Sequence, residues 1–472
     1  MSKEEYQDAA IIDQLTQPVP HGIGASAVTF RGGTPIDAFY ERLIRGANLN
    51  KNRRGQFMGE ASEWSRGWRT VASGTLGMTA MAGVASVTGV VMEPLQHEFG
   101  WPRAVVAVNV FLCSAMALLL APVGGALTSR LGARKVAICG TLGAIPGLLL
   151  ISLTGGSPWT WYGAWTAFAV VNVAIGPMVW SMAVSGLFEH ARGFALAVTL
   201  SGGGLAHLLF PPLAVLMEAH YGWRGVYIAI AAVFLIVLLP VLLFLFRARE
   251  DLAATQPVEA IAVDKAARVQ EPLATGLSLK QALGTRHFWQ LALLALVVAF
   301  VEGTLTVHLF PILKEEGLSG ATAAGIASAM GLALIVGRLV TGILLDRLPS
   351  SHVFAASILF LLFCCFMARV VAGNAAIGIA VGILLGLGSG GTTGTLAYMT
   401  GRYFGLRAYA AIFGMLIGIF ALGYGIAPSV AGYARDAATS YAPLFLYLAF
   451  ACAVSTVLAF TLGKGPRNAN VS

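Results

Sequence analysis

Between Trp68 and Leu462 the chain turns apolar again and again for runs of about twenty residues, each long enough for a helix to cross the ~30 Å hydrocarbon core of a bilayer. Twelve such segments are expected, at 68–93, 103–127, 134–154, 159–183, 193–218, 224–246, 288–313, 321–345, 352–372, 375–400, 408–434 and 441–463. Of the 472 residues, 57% are hydrophobic and 11% charged, a balance that excludes an ordinary water-soluble globule. Lipid offers no partners to backbone polar groups, so spans of this length must be helices. The expected fold class is therefore an all-α integral membrane protein whose surroundings are lipid. Its 56 glycines fit helices that approach closely through small side chains. The first apolar run starts too far along the chain to read as a cleaved signal peptide.

A net charge of +8 raises the question of a nucleic-acid partner, but the placement of the charge argues against one. If the N-terminus is cytoplasmic, 24 of the 30 Lys and Arg fall on that side. Arg103, Arg224, Lys314, Arg369 and Arg435 fall on the other. This is the positive-inside bias, and it puts both termini in the cytoplasm. Compact external loops point to a bacterial inner membrane. The five cysteines all lie within expected spans and match no metal spacing, so they read as small packing residues.

The organisation is a polar cytoplasmic tail (1–66), a six-helix half (67–247), a cytoplasmic central loop (248–287), a second six-helix half (288–463) and a short cytoplasmic tail (464–472). In the first tail, Thr34 as cap, Pro35 and the face Ile36, Phe39, Tyr40 and Leu43 outline one amphipathic helix, against the plainer reading of a tail lying on the membrane or disordered. At an offset of 217 residues the halves repeat: Pro94, Glu98 and Gly100 meet Pro311, Glu315 and Gly317. The same offset takes Gly125, Leu127, Arg130 and Leu131 onto Gly342, Leu344, Arg347 and Leu348, and Pro211 onto Pro428. Duplicated halves of this kind describe a rocker-type carrier with its site between them.

"GALTSRLGARK" (125–135) resembles the loop signature of the major facilitator superfamily, and "GILLDRL" (342–348) is its second copy. Ser129 stands where the first copy would carry Asp, whereas Asp346 is in place in the second. The resemblance implies a cytoplasmic gate at Gly125, Arg130, Arg134, Gly342, Asp346 and Arg347. Two further stretches are similar to signatures of the monocarboxylate transporter family. "EWSRGW" (63–68) agrees at Glu63, Ser65, Gly67 and Trp68, and "LFEHARGFALAVTLSGGG" (187–204) at Phe188, Arg192, Ala195 and Gly202. Trp64, Arg66, Leu187 and Ala197 depart from those patterns. Arg338 falls where this family keeps a substrate-binding arginine on its eighth helix. The acid that family places one turn earlier is here Leu334.

Arg338 interrupts the apolar run "GLALIVGRLVTGILL" eight residues before Asp346, ~12 Å from the end of its helix. A buried charge at such depth marks a functional site, and a guanidinium fork suits a carboxylate; a structural charge neutralised by helix-end carbonyls or by Asp346 is the competing reading. At the repeat offset its counterpart is Ala121, so the charge is no part of the shared scaffold. Glu302 lies thirteen residues past Trp289, ~20 Å into the seventh segment, and is the candidate proton carrier in place of the missing acid, with a structural hydrogen bond as the other reading. His308, nearer the outer mouth, joins it as a proton-coupling candidate, with an interface or gating role as the competing reading. His207 and Tyr424 correspond across the repeat and are expected to line the cavity with Tyr398 and Asn109; a satisfied core histidine is the other reading of His207. "GLGSGGTTGT" (386–395) lacks the Gly-Lys-Ser/Thr ending of a phosphate loop and reads as close helix packing.

No catalytic triad, zinc spacing or nucleotide fingerprint marks an enzyme. The expected function is carriage of a small organic monocarboxylate by proton symport with alternating access, the proton being the coupling ion and no other cofactor being required. The alternatives are a drug or metabolite exporter of the same superfamily, an oxalate/formate-type exchanger, and a membrane sensor using its long tail. The exchanger family carries a second cation in helix 11, and 408–434 holds none.

Overall fold

The computed structural model describes residues 63–188, 191–247, 276–405 and 407–463. The tail helix expected at 34–43, with the rest of 1–62, residues 248–275 and the tail 464–472, lies outside the described residues. Among the described residues the chain is helical, with an isolated bridge between Gly276 and Gly405 and no sheet.

Among the described residues eleven helices are long and apolar enough to cross a membrane. The first four are α1 (Glu63–Phe99), α2 (Arg103–Leu131), α3 (Ala133–Ser152) and α4 (Pro158–Ser185). The next apolar helix, Arg192–Phe244, runs for 53 residues. At 1.5 Å per residue that is ~80 Å, too long for one crossing. Gly222 divides it: its φ of 66° and ψ of −177° lie where only glycine sits without strain. With α5 as 192–221 and α6 as 223–244, the twelve expected spans are present. The second half follows as α7 (Arg286–Glu315), α8 (Gly320–Arg347), α9 (Ser350–Ala368), α10 (Ala375–Phe404), α11 (Tyr409–Ala438) and α12 (Ala442–Thr461). The last residues of the expected central loop are structured: Leu277 N donates to Phe404 O at 2.8 Å, and Leu279–Leu283 forms a short helix with a Ser278/Gln281 capping box.

The duplication is visible in the joints between halves. On one seam α2 meets α11, where a Cβ on Gly425 would stand 2.8 Å from Ser114 Cβ. On the other, α8 meets α5, where a Cβ on Gly331 would stand 2.5 Å from Leu208 N. Adding 217 to Ser114 gives Gly331, and adding it to Leu208 gives Gly425, so the two contacts are one contact made twice. Helix prolines follow the same rule: Pro94 and Pro311 lie within α1 and α7, Pro211 and Pro428 within α5 and α11.

The halves join at the end carrying Arg103, where α1 also packs on α7: a Cβ on Gly89 would meet Val307 O at 2.6 Å. The residues expected to form the gate lie at the opposite end. Arg130, Asp346 and Arg347 are exposed and make no ion pair among the described residues, and nothing lies within 4 Å of a Cβ placed on Gly342.

Candidate substrate site and gates

Arg338 sits on α8 at the seam with α5, where its Nη1 donates to the carbonyl of Leu200. The glycines of α10 hold it there. A Cβ on Gly390 would fall 2.4 Å from Leu334 O and 2.7 Å from Arg338 N, and one on Gly386 2.3 Å from Met330 O. Close packing of α10 on α8 is thus what "GLGSGGTTGT" encodes, with Gly337 returning the contact at 2.7 Å from Leu387 O. Small residues let the two backbones approach and leave the arginine's head to point across the seam.

Glu302 is 4% exposed on α7. Its carboxyl lies beside the Thr392 hydroxyl of α10 and in the field of Arg338. Its Oε1 is buried without a hydrogen-bond partner, as is Oγ of Ser389 one turn before Thr392. Tyr424, half-buried on α11, stands in the field of the same carboxyl with its hydroxyl on Thr306, and stacks on Phe420 with centroids 6.4 Å apart. Arg338, Glu302, Thr392 and Tyr424 therefore bring one cation, one carboxyl and two hydroxyls from four helices into one electrostatic neighbourhood. Such a set can hold a carboxylate against the guanidinium and a proton on the acid.

The other expected site residues are placed as follows. His207 is half-buried on α5 directly at the glycine contact, its backbone carbon 2.9 Å from a Cβ on Gly331. Asn109 is 1% exposed and donates through Nδ2 to Thr88 Oγ1 at 2.8 Å, so its amide ties α2 to α1 instead of facing a cavity. Tyr398 is exposed, and its hydroxyl accepts from Arg402 Nη1 at 3.4 Å near the end of α10. His308 is fully buried on α7 against α11 and the start of α12: Nε2 donates to Pro428 O at 2.8 Å and Nδ1 accepts from Tyr441 Oη at 2.7 Å. Arg134 donates to Leu243 O at 2.6 Å, and Gly125 faces the flexible tip of Met178, 2.5 Å from a notional Cβ.

The two lead-in motifs meet in space. Glu63 accepts from Ala191 N at 3.0 Å, just ahead of α5, and Trp64 lies against Phe188 and Phe194 at 5.2 and 5.7 Å. Gly67 leaves room for the Phe188 ring, which a Cβ would reach at 2.3 Å. The contact fixes the start of α5, the helix whose Leu200 receives Arg338.

Sequence reasoning left out the network at the joined end. Arg103 begins α2 and pairs with Glu315 of α7; its backbone N donates to Asp436 of α11 at 3.0 Å, its Nε to Gln96 at 3.2 Å, and its Nη1 to Tyr441 Oη at 3.0 Å. Arg435 pairs with Glu315 at 2.8 Å, and Lys314 of α7 with Glu93 of α1. Glu98 and Glu315 are repeat partners, and with the flanking pairs Pro94/Pro311 and Gly100/Gly317 they marked this edge in the sequence. Glu98 in turn holds Trp223 and Arg224, 2.6 and 2.7 Å away, beside the Gly222 turn.

Twin six-helix halves that meet across a glycine-lined seam, with a charged site beside it and an ionic network at the Arg103 end, define a membrane carrier and not an enzyme. A model of the Major Facilitator Superfamily matches residues 74–408. Monocarboxylate transporter 12 of Rattus norvegicus is 23% identical over 413 residues, covering 83% of this chain and 84% of that protein. Monocarboxylate transporter 11 of Homo sapiens is 26% identical over 404 residues, 80% of this chain and 79% of its own. A crystal structure of a D-xylose-proton symporter shares the fold with a TM-score of 0.64 at 13% identity, covering 84% of this chain and 98% of that one. The chain belongs to the major facilitator superfamily.

Proposed function

We propose that this transporter carries a small organic monocarboxylate together with a proton. The observation that carries the reading is Arg338, a cation set into an apolar helix at the seam of the halves, with Glu302 as the acid in whose field it stands. Ionised, Glu302 competes with the substrate for the guanidinium; protonated, it leaves the arginine free. One proton and one anion then travel together, and no cofactor beyond the proton is needed. The similarity to proteins named monocarboxylate transporters supports the substrate class. The distribution of Lys and Arg supports cytoplasmic termini, and the compact external loops a bacterial inner membrane, so that the end joined at Arg103 is extracellular and the carrier is open to the cytoplasm.

The test is uptake of labelled monocarboxylates into proteoliposomes under an imposed pH gradient. Removing one member of a buried charge interaction costs about 2–5 kcal/mol, so Arg338→Gln lowers uptake by roughly 30-fold or more. Glu302→Gln retains exchange across the membrane but loses gradient-driven accumulation. Flux indifferent to Arg338→Gln overturns the reading in favour of an exporter of other metabolites.

A further inference from the structure

We propose that Arg103, Tyr441 and His308 form the latch of the joined end, and that a proton taken up by His308 releases it. The proposal rests on the carrier reading of the fold and is independent of the cargo.

The chain of hydrogen bonds has a direction. Pro428 O can only accept, so His308 Nε2 carries a hydrogen, and Nδ1 of the neutral ring is left to accept from Tyr441 Oη at 2.7 Å. The Tyr441 oxygen then accepts from Arg103 Nη1 at 3.0 Å. Arg103 belongs to the first half and the other three groups to the second, so the bond between Arg103 and Tyr441 crosses the joint. The neutral ring satisfies every member of the chain.

A protonated ring does not. Both its nitrogens donate, the tyrosine oxygen faces two donors, and the tyrosine hydrogen loses its acceptor. The surrounding charges are already balanced. Arg103 from α2, Arg435 from α11 and Lys314 from α7 stand against Glu315 from α7, Asp436 from α11 and Glu93 from α1. His97 on α1 meets Glu93 at 3.9 Å from the exposed side, outside the chain. An imidazolium inside this ring of six is a surplus buried cation with a cation, Arg103, next in line, which disfavours the joined state and is relieved when the halves part. When they part, Glu315 keeps Arg435, while His308 and Tyr441 meet water. Acid on that side therefore favours the parted state.

The experiment reads the gap directly and needs no substrate. Nitroxides are installed through non-natural amino acids at exposed Ser157 in the first half and exposed Ala437 in the second, leaving the native cysteines in place. Distances are recorded in nanodiscs by electron–electron resonance at about pH 8 and about pH 5, either side of the usual histidine range near ~6.5. The ratio of parted to joined populations is expected to rise about tenfold with acid. His308→Gln, which stays neutral, holds the joined distance at both pH values; Tyr441→Phe shows the parted distance at both; His97→Gln leaves the acid response as it was. A response that survives His308→Gln, or two distances whose ratio ignores pH, overturns the latch. One unmoving distance in every variant, Arg103→Gln included, overturns the carrier reading itself.

Discussion

Gly331→Ala tests the seam between α5 and α8 at its tightest point. The added Cβ would stand 2.4 Å from Gly204 O, 2.5 Å from Leu208 N and 2.9 Å from His207 C, all backbone atoms with no rotamer to change. To restore ordinary contact the two helices must separate by about 1 Å over that turn, which forfeits much of the dispersion attraction along it. Overpacking of this kind costs roughly 1–3 kcal/mol. The repeat supplies the control. Gly425→Ala, at the twin position, meets Ser114 Cβ and Oγ at 2.8 and 2.9 Å and Phe111 Cα at 3.3 Å; the hydroxyl can rotate away and the remaining contacts are longer than those at Gly331, so the helices need part less. Heated in detergent and scored by the fraction remaining monodisperse, Gly331→Ala is expected to lose its fold several degrees below wild type and Gly425→Ala to fall between. Uptake follows the same order, because the separation also draws Leu200 away from Arg338. A Gly331→Ala protein as stable as wild type, or less affected than Gly425→Ala, refutes the seam geometry.

Asn109→Ala strands the Thr88 hydroxyl and costs about 1–3 kcal/mol of stability, with the KM for substrate unchanged; thermal midpoint and uptake kinetics together check this. Glu63→Gln weakens the acceptor ahead of α5 and lowers stability by about 0.5–2 kcal/mol, read by the same melt. Gly342→Ala adds a methyl where this state has open space, so it raises the melting temperature by the weight of up to ~1 kcal/mol of helix propensity, while slowing transport if that end must close.

The spans were legible because a bilayer filters sequence so strictly: a helix in lipid must stay apolar for its whole crossing. Their ends were less so. α1, α8, α10 and α11 run on to Phe99, Arg347, Phe404 and Ala438, beyond the apolar runs, since a helix continues into the polar layer as long as its hydrogen bonds do. Arg338 announced itself as a charge in the wrong solvent, but its partner is the Leu200 carbonyl, and backbone atoms carry no sequence signal. Asn109 shows the opposite error. A polar residue in a span can face a cavity or a neighbour, and without knowing how α2 turns toward α1 nothing pointed to Thr88. Tyr441 and Arg103 sit at helix starts, where polar residues are ordinary; only their meeting across 338 positions of chain gives them a role.

The twin glycine contacts also set a pivot. Any rocking that keeps Ser114 against Gly425 and Leu208 against Gly331 turns about the line joining those two points, so displacement grows with distance along each helix. Arg103 lies eleven residues from Ser114, a lever arm of ~16 Å, and Arg338 seven from Gly331, ~10 Å. A turn of roughly 15°, the size of other rigid-body switches, carries Arg103 about 4 Å and ruptures its hydrogen bonds outright, while the glycines merely roll. The duplication thus built a fulcrum first, and the latch gains its all-or-none character from being mounted far from it.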